Sequence, residues 1–193
     1  GWDVRALVVD EGPEDANRTV LDELERGSTS VLLDPQAIGI AGPADLAAVL
    51  NGVYLDMTTV ALMPGPATNE VAGWLLDLWE ASGVAEAERR GHLGLDPLGV
   101  AARYGGPPTI DAAALDLVAR ARPLPGVRAL EVDATPYADA GTSDAGQLAS
   151  ALSTGVAYLR ALVDHGIGVS DALATLSVTL PADADQFLTV ARF

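Results

Sequence analysis

Three consecutive pieces decide the fold: Ser30-Val-Leu-Leu-Asp-Pro35, then Gly42-Pro-Ala-Asp-Leu-Ala-Ala-Val-Leu-Asn-Gly-Val53, then Met57-Thr-Thr-Val-Ala-Leu-Met63. The first is a short aliphatic run stopped by Asp-Pro. The second opens on Gly-Pro and places Leu46, Val49, Leu50 and Val53 on one helical stripe. The third is another aliphatic run. Two apolar strands flanking an amphipathic helix spell a parallel βαβ unit, whose strands are buried on both faces and therefore do not alternate.

The same alternation extends outward in both directions. Upstream, Val4 to Val9 reads as a strand. Pro13, Glu14 and Asp15 suit a helix start, because proline is tolerated in the first turn and carboxylates complement the dipole there. Val20, Leu21 and Leu24 give that helix a core face. Downstream, Thr68 is expected to cap a helix carrying Val71, Trp74, Leu75, Leu78 and Trp79, with the tryptophans read as core rather than cofactor contacts. Gly91 to Asp96 reads as a glycine-broken strand. Thr109 is expected to cap a helix through Leu115, Leu117 and Val118, and Val127 to Val132 is the fifth strand. Asp144 starts the longest helix, with Leu148, Leu152, Val156, Leu159 and Val163 on its expected core side and His165-Gly166 as its stop. Leu173 to Leu180 is the sixth strand, and a last helix runs from Asp185 to Phe193. About six βα units without a Gly-rich phosphate loop predict an α/β fold of the (β/α)8 TIM-barrel type, incomplete because a closed barrel needs eight. Residues 1–193 are expected to form one partial barrel domain, a fragment of a longer protein.

Composition narrows the function classes. The chain has 193 residues, 49% of them hydrophobic, enough for one sizeable core. Its 27 acidic against 11 basic residues give a formal charge of −16, which repels phosphate backbones and anionic lipid, so neither nucleic acid nor membrane is expected as a partner. No apolar run approaches the ~18 residues of a membrane span, and the amino terminus has no signal-peptide pattern, so a cytoplasmic location is expected. With no cysteine, disulfides, thiolate metal sites and cysteine nucleophiles are excluded.

Function in such a barrel sits on loops after the carboxyl ends of the strands. Those loops are Asp34-Pro35, Met63-Pro64, Asp96-Pro97, Asp133 to Asp139, and Leu180-Pro181. Most are proline-fixed and carry small or apolar groups that neither move protons nor bind metals. The stretch Asp133 to Gly141 is the exception, with two carboxylates and the Tyr137 phenol. His92 and Asp96, four apart on one strand, are expected on one face; a structural histidine is favoured over a metal or acid–base pair, since no third ligand is evident. His165 reads as a helix carboxyl cap. No nucleotide, zinc-protease or nucleophile-elbow motif occurs.

Val132-Asp-Ala-Thr-Pro-Tyr-Ala-Asp-Ala-Gly-Thr-Ser-Asp-Ala-Gly-Gln-Leu148, Gly155-Val-Ala-Tyr-Leu-Arg160 and Ala184-Asp-Gln-Phe-Leu-Thr-Val-Ala191 resemble methylmalonyl-CoA mutase. Trp2-Asp-Val-Arg5, Leu24-Glu-Arg-Gly-Ser-Thr-Ser-Val-Leu-Leu33 and Leu50-Asn-Gly-Val-Tyr-Leu55 resemble the small, non-catalytic subunit of its heterodimeric bacterial form. The likeness runs colinearly along the chain. It implies an isomerase complex that converts (R)-methylmalonyl-CoA to succinyl-CoA with adenosylcobalamin, in which the cofactor carries the radical chemistry. It implies a catalytic large subunit as partner and a structural role for this chain. Catalytic chains of the family place an imidazole after strand five where this chain has Ala134-Thr135-Pro136. Their Gln-Asn-Asp stretch matches Gly94-Leu95-Asp96, and a substrate-facing arginine matches Tyr104. The degenerate positions are therefore Gly94, Tyr104 and Pro136, no catalytic residue is expected, and Asp96, Thr135, Tyr137 and Asp139 would line a vestigial pocket. The family's carboxyl-terminal cobalamin domain has no counterpart here, so neither cofactor nor metal is expected on this chain. Two rivals stand beside this reading. One is a divergent catalytic acyl-CoA mutase using Tyr104, Tyr137 and Asp139. The other is an unrelated barrel scaffold that self-associates through its open edges.

Overall fold

A computed structural model describes residues 3–182 and 184–192. Trp2 of the resemblance and Phe193 of the last expected helix lie outside the described residues. Six strands, β1 (Arg5–Val8), β2 (Ser30–Leu33), β3 (Thr59–Leu62), β4 (Arg90–Leu95), β5 (Gly126–Asp133) and β6 (Leu176–Thr179), form one sheet in sequential order. Every neighbouring pair is parallel, and the register aligns Val8 with Leu33 and Leu33 with Leu62. The crossovers contain α1 (Pro13–Glu25), α2 (Pro35–Ile38), α3 (Pro43–Val49), α4 (Thr68–Ala81), α5 (Pro97–Tyr104), α6 (Ala112–Ala121), α7 (Thr135–Asp139), α8 (Asp144–Asp164) and α9 (Val169–Ala174); α10 (Gln186–Arg192) follows β6.

Sequential parallel strands joined by helical crossovers, right-handed as a rule in such units, collect the helices on one face, as in a TIM barrel. The sheet is not closed, and β1 and β6 are its edges. On the helix side the packing is close. The Trp79 ring of α4 lies over Gly91, where a β-carbon would come within 2.8 Å of it, and Gly155 of α8 lies over Val132. Val8, Leu33, Val60, Leu62, Leu93 and Leu95 from the strands are buried with Val20, Leu46, Leu75, Trp79, Val118, Tyr158 and Leu162 from the helices. Each such aliphatic side chain contributes roughly 1.5–3 kcal/mol of transfer free energy.

Several sequence expectations change in detail. Thr68 is the first residue of α4 and does not cap it; its hydroxyl donates to the Met63 carbonyl at 2.9 Å. Asp111, rather than Thr109, caps α6, accepting from the Ala114 amide at 2.8 Å. A carboxylate is the stronger acceptor for a helix amino terminus. The third strand begins at Thr59 because Tyr54 and Met57 close a turn. The sixth is shortened by α9, which takes Leu173. Most telling is α8. Leu152, Val156 and Val163 are exposed, while Ala151, Thr154, Tyr158 and Leu162 are buried. The helix buries Tyr158 and Leu162 together with the smaller Ala151 and Thr154, with Gly155 close to Val132, and turns part of its aliphatic stripe outward.

Candidate functional site

The carboxyl ends of the strands carry three aspartates with one local task. Asp34 accepts from the amides of Gln36 and Ala37 at 3.0 and 3.1 Å, capping α2. Asp96 accepts from the Gly99 amide at 3.0 Å, capping α5. Asp133 accepts from the Thr135 amide and hydroxyl, both at 2.8 Å, at the start of α7. Proline follows Asp34 and Asp96 at the first helical position, where its missing N–H costs nothing. Carboxylates spent on backbone amides are poor proton carriers and poor ligands.

Asp96 is the most buried of the three. Besides Gly99 it receives the Tyr158 hydroxyl of α8, in a short hydrogen bond, and the Asp133 amide at 3.1 Å. Tyr158 in turn accepts from the Leu98 amide at 3.0 Å. Burial pushes the Asp96 carboxyl up to about 6, against the pull of those three donors. The same burial, with the Asp96 charge beside it, pushes the Tyr158 phenol well above its usual range.

A second cluster is built around Arg103 of α5. Its guanidinium donates to the Thr135 hydroxyl at 2.8 Å and lies 3.3 Å from Asp139 and 4.0 Å from Asp133. Burial raises the Asp133 carboxyl, the Thr135 bonds and Arg103 oppose that rise, and Glu131 adds a like charge. Asp139 is largely exposed.

A third cluster lies on the face opposite the helices. Glu131 of β5 accepts from the hydroxyls of Ser177 and Thr179 on β6, and His92 of β4 stands 3.9 Å away, an electrostatic neighbour rather than a hydrogen-bond partner. Burial works to raise Glu131, but the imidazole and the two hydroxyls outweigh it and hold the carboxyl below its ordinary value. Arg5, Leu32, Met63, His92, Glu131 and Thr179 line a cavity of about 100 Å³ there.

The sequence-derived candidates thus separate. Thr135 and Asp139 meet on Arg103. Tyr137 is half-buried and lines a groove of about 440 Å³ with Leu98, Ala101 and Thr154. Asp96 borders another of about 220 Å³ with its oxygens already bonded. Pro136 is the second residue of α7, and Tyr104 ends α5 with its ring half exposed. Gly94 sits at φ +65°, within a register shift between His92 and Leu95. That shift breaks the two-residue alternation, so His92 faces Glu131 while Asp96 meets α8, and the expected sharing of one face does not hold. Among the described residues no group of three histidine or acidic side chains is placed to hold a metal. Sequence reading missed Arg103, Glu131 and Tyr158. A charged residue inside the apolar run Val127 to Val132 was a visible signal for Glu131; Arg103 offered none.

These features define a class: a parallel β/α sheet of TIM type, open in this chain, whose strand-end carboxylates are occupied in capping and in one ion-pair cluster. Residues 33–193 match the methylmalonyl-CoA mutase family, and the chain belongs to that family. It is similar to the methylmalonyl-CoA mutase small subunit of Streptomyces virginiae, 47% identical over 193 residues that cover 100% of this chain and 31% of the relative. The small subunit from Propionibacterium freudenreichii subsp. shermanii is 40% identical, over 99% of this chain and 30% of the relative. The probable small subunit of Mycobacterium bovis is 34% identical over 100% of this chain and 31% of its own length. The chain therefore spans less than a third of the length of these curated relatives.

Proposed function

We propose that this chain is the barrel portion of a small, supporting subunit of an adenosylcobalamin-dependent methylmalonyl-CoA mutase. Its complex would convert (R)-methylmalonyl-CoA to succinyl-CoA in the cytoplasm, with the large subunit supplying the reacting groups. The observation that carries this reading is the closure of Arg103 by Asp133, Thr135 and Asp139. A methylmalonyl group brings a carboxylate and a thioester carbonyl, which call for a free cation and a strong donor. Here the cation is neutralised, a proline holds the position of the family's imidazole, and Asp139 would repel the substrate's carboxylate. In this reading Thr135 and Asp139, which meet on Arg103, and Asp96 and Tyr137, which border separate grooves, are scattered remnants of a pocket, and Gly94, Tyr104 and Pro136 its degenerate positions.

The residues present do not fit adenosylcobalamin. His92 is turned to Glu131 across a cavity of only about 100 Å³, and His165, exposed at the end of α8, lines none of the cavities described above, so neither imidazole stands over a space that would take a corrin. The cofactor would be held elsewhere in the assembly, and residues 1–193 would make a single partial barrel domain. The acidic surface argues against nucleic acid and anionic membrane.

The deciding measurement is isomerisation of methylmalonyl-CoA, with adenosylcobalamin supplied, by the full-length subunit alone and mixed with its large subunit. Activity confined to the mixture and unchanged by Asp139→Ala is expected. Turnover by this subunit alone would replace the reading with a divergent catalytic chain. Self-association through the open edges is a second reading, favoured by β6 lying at the edge of the sheet with Val178 on that strand exposed. Dimerisation on concentrating, without affinity for the large subunit, would support it.

A further inference from the structure

The turn after α3 carries chemistry independent of the subunit assignment. The chain has three asparagines, Asn17, Asn51 and Asn69. Asn17 lies within α1, and its Nδ2 donates to the carbonyls of Val49 and Asn51, both at 2.8 Å. Asn69 lies in the first turn of α4 and precedes Glu70. Asn51 differs on each count: it is exposed, sits in a turn outside helix and strand, and precedes Gly52, whose φ is +80°. Among the described residues neither the Asn51 carboxamide nor the Gly52 amide makes a hydrogen bond. Nothing crowds Gly52: a notional β-carbon would meet only the two Leu21 methyls, at 3.8 and 3.9 Å.

We propose that Asn51 is a site of spontaneous deamidation and isomerisation, with the Gly52 backbone nitrogen as nucleophile and water as the co-reactant. Solvent hydroxide removes the Gly52 amide proton, and the nitrogen attacks Cγ of Asn51. The N–Cγ bond forms, the Cγ–Nδ2 bond breaks, and the carboxamide nitrogen leaves as ammonia with protons from water, closing a succinimide ring. Water then opens the ring. Attack at Cγ yields aspartate, and attack at the main-chain carbonyl yields isoaspartate, in which the chain runs through Cγ. Glycine matters because it has no side chain to crowd the attacking nitrogen and is free to adopt the required dihedrals. At Asn17 and Asn69 the next residue carries a β-carbon and the helix holds the main chain away from ring closure.

The isoaspartyl product converts the carbonyl held by Asn17 into a free carboxylate, which alters the tie between α1 and the end of α3. It also adds negative charge beside the groove formed by Leu21, Leu24, Val53, Tyr54 and Met57. The purified protein, aged at mildly alkaline pH, is to be followed by peptide-mapping mass spectrometry, with isoaspartate counted by enzymatic methyl transfer from S-adenosylmethionine. Conversion at Asn51 roughly tenfold faster than at Asn17 or Asn69, corresponding to a barrier lower by about 1.4 kcal/mol, with isoaspartate the major product and abolition by Asn51→Gln, is the expected result. Equal rates at the three asparagines, or an unchanged Asn51, would overturn the proposal.

Discussion

At the scale of single residues, the pair Asp96 and Tyr158 is the most informative. The tyrosine hydroxyl links a carboxylate at the end of β4 to the first turn of α5, donating to one and accepting from the other. Tyr158→Phe leaves the Leu98 amide without an acceptor and Asp96 short of a donor, and is expected to cost about 1–3 kcal/mol in urea denaturation. The Asp96 carboxyl, pushed up to about 6 by burial, lies above its unfolded value of 3.8. A raised carboxyl favours the fold in its protonated form. Its contribution is therefore complete below the unfolded value and is lost as pH rises through about 6. Wild type should lose stability relative to Asp96→Asn across that window. Parallel urea midpoints for the two proteins would reject this sign if their difference were flat or reversed.

At the scale of elements, the strand junctions depend on a few special positions. Gly94 occupies the left-handed region, and a β-carbon there would approach the Leu62 carbonyl to 2.1 Å. Gly94→Ala combines a backbone penalty of about 1–3 kcal/mol with a clash between β3 and β4. A sharp fall in the denaturation midpoint is expected, larger than for Gly83→Ala, where nothing lies near. Glu131 joins β5 to the edge strand β6 through two hydroxyls. Glu131→Gln keeps the shape but loses one acceptor oxygen and the charge facing His92. A loss of about 1–3 kcal/mol is expected, with faster amide exchange over Leu176–Thr179 than over β2. Uniform exchange rates would show that Glu131 does not hold that edge.

At the scale of the whole molecule, a net charge of −16 opposes compaction through self-repulsion. Raising ionic strength from ~0.01 M to ~0.15 M shortens the Debye length from about 30 Å to about 8 Å. The melting temperature should rise by a few degrees over that range, as read by calorimetry. The charge also suits a partner with a basic face; if the large subunit proposed above is that partner, association with it should weaken as salt increases. The same salt series, run on the complex and on the chain alone, would separate the two effects.

The fold class was legible because burial imposes a local pattern. Apolar runs such as Ser30–Leu33 and stripes such as Leu46, Val49 and Leu50 must recur at the period of their element wherever one face is packed. The Asp-Pro pairs at 34–35 and 96–97 likewise announced strand ends, but not their use as caps for α2 and α5. Family membership followed from the order of soft motifs along the chain. What tertiary structure alone decided is which groups meet. Arg103 comes from α5 and Thr135 and Asp139 from α7, and no spacing in sequence encodes the approach of the two helices. Local pattern gave α8 an aliphatic core face at Leu152, Val156 and Val163, yet the buried face is the one carrying Ala151, Thr154, Tyr158 and Leu162, with the Tyr158 hydroxyl tied to Asp96 at the end of β4. One left-handed glycine at position 94 turned His92 and Asp96 to different neighbours, since a single bulged residue reverses every side chain beyond it.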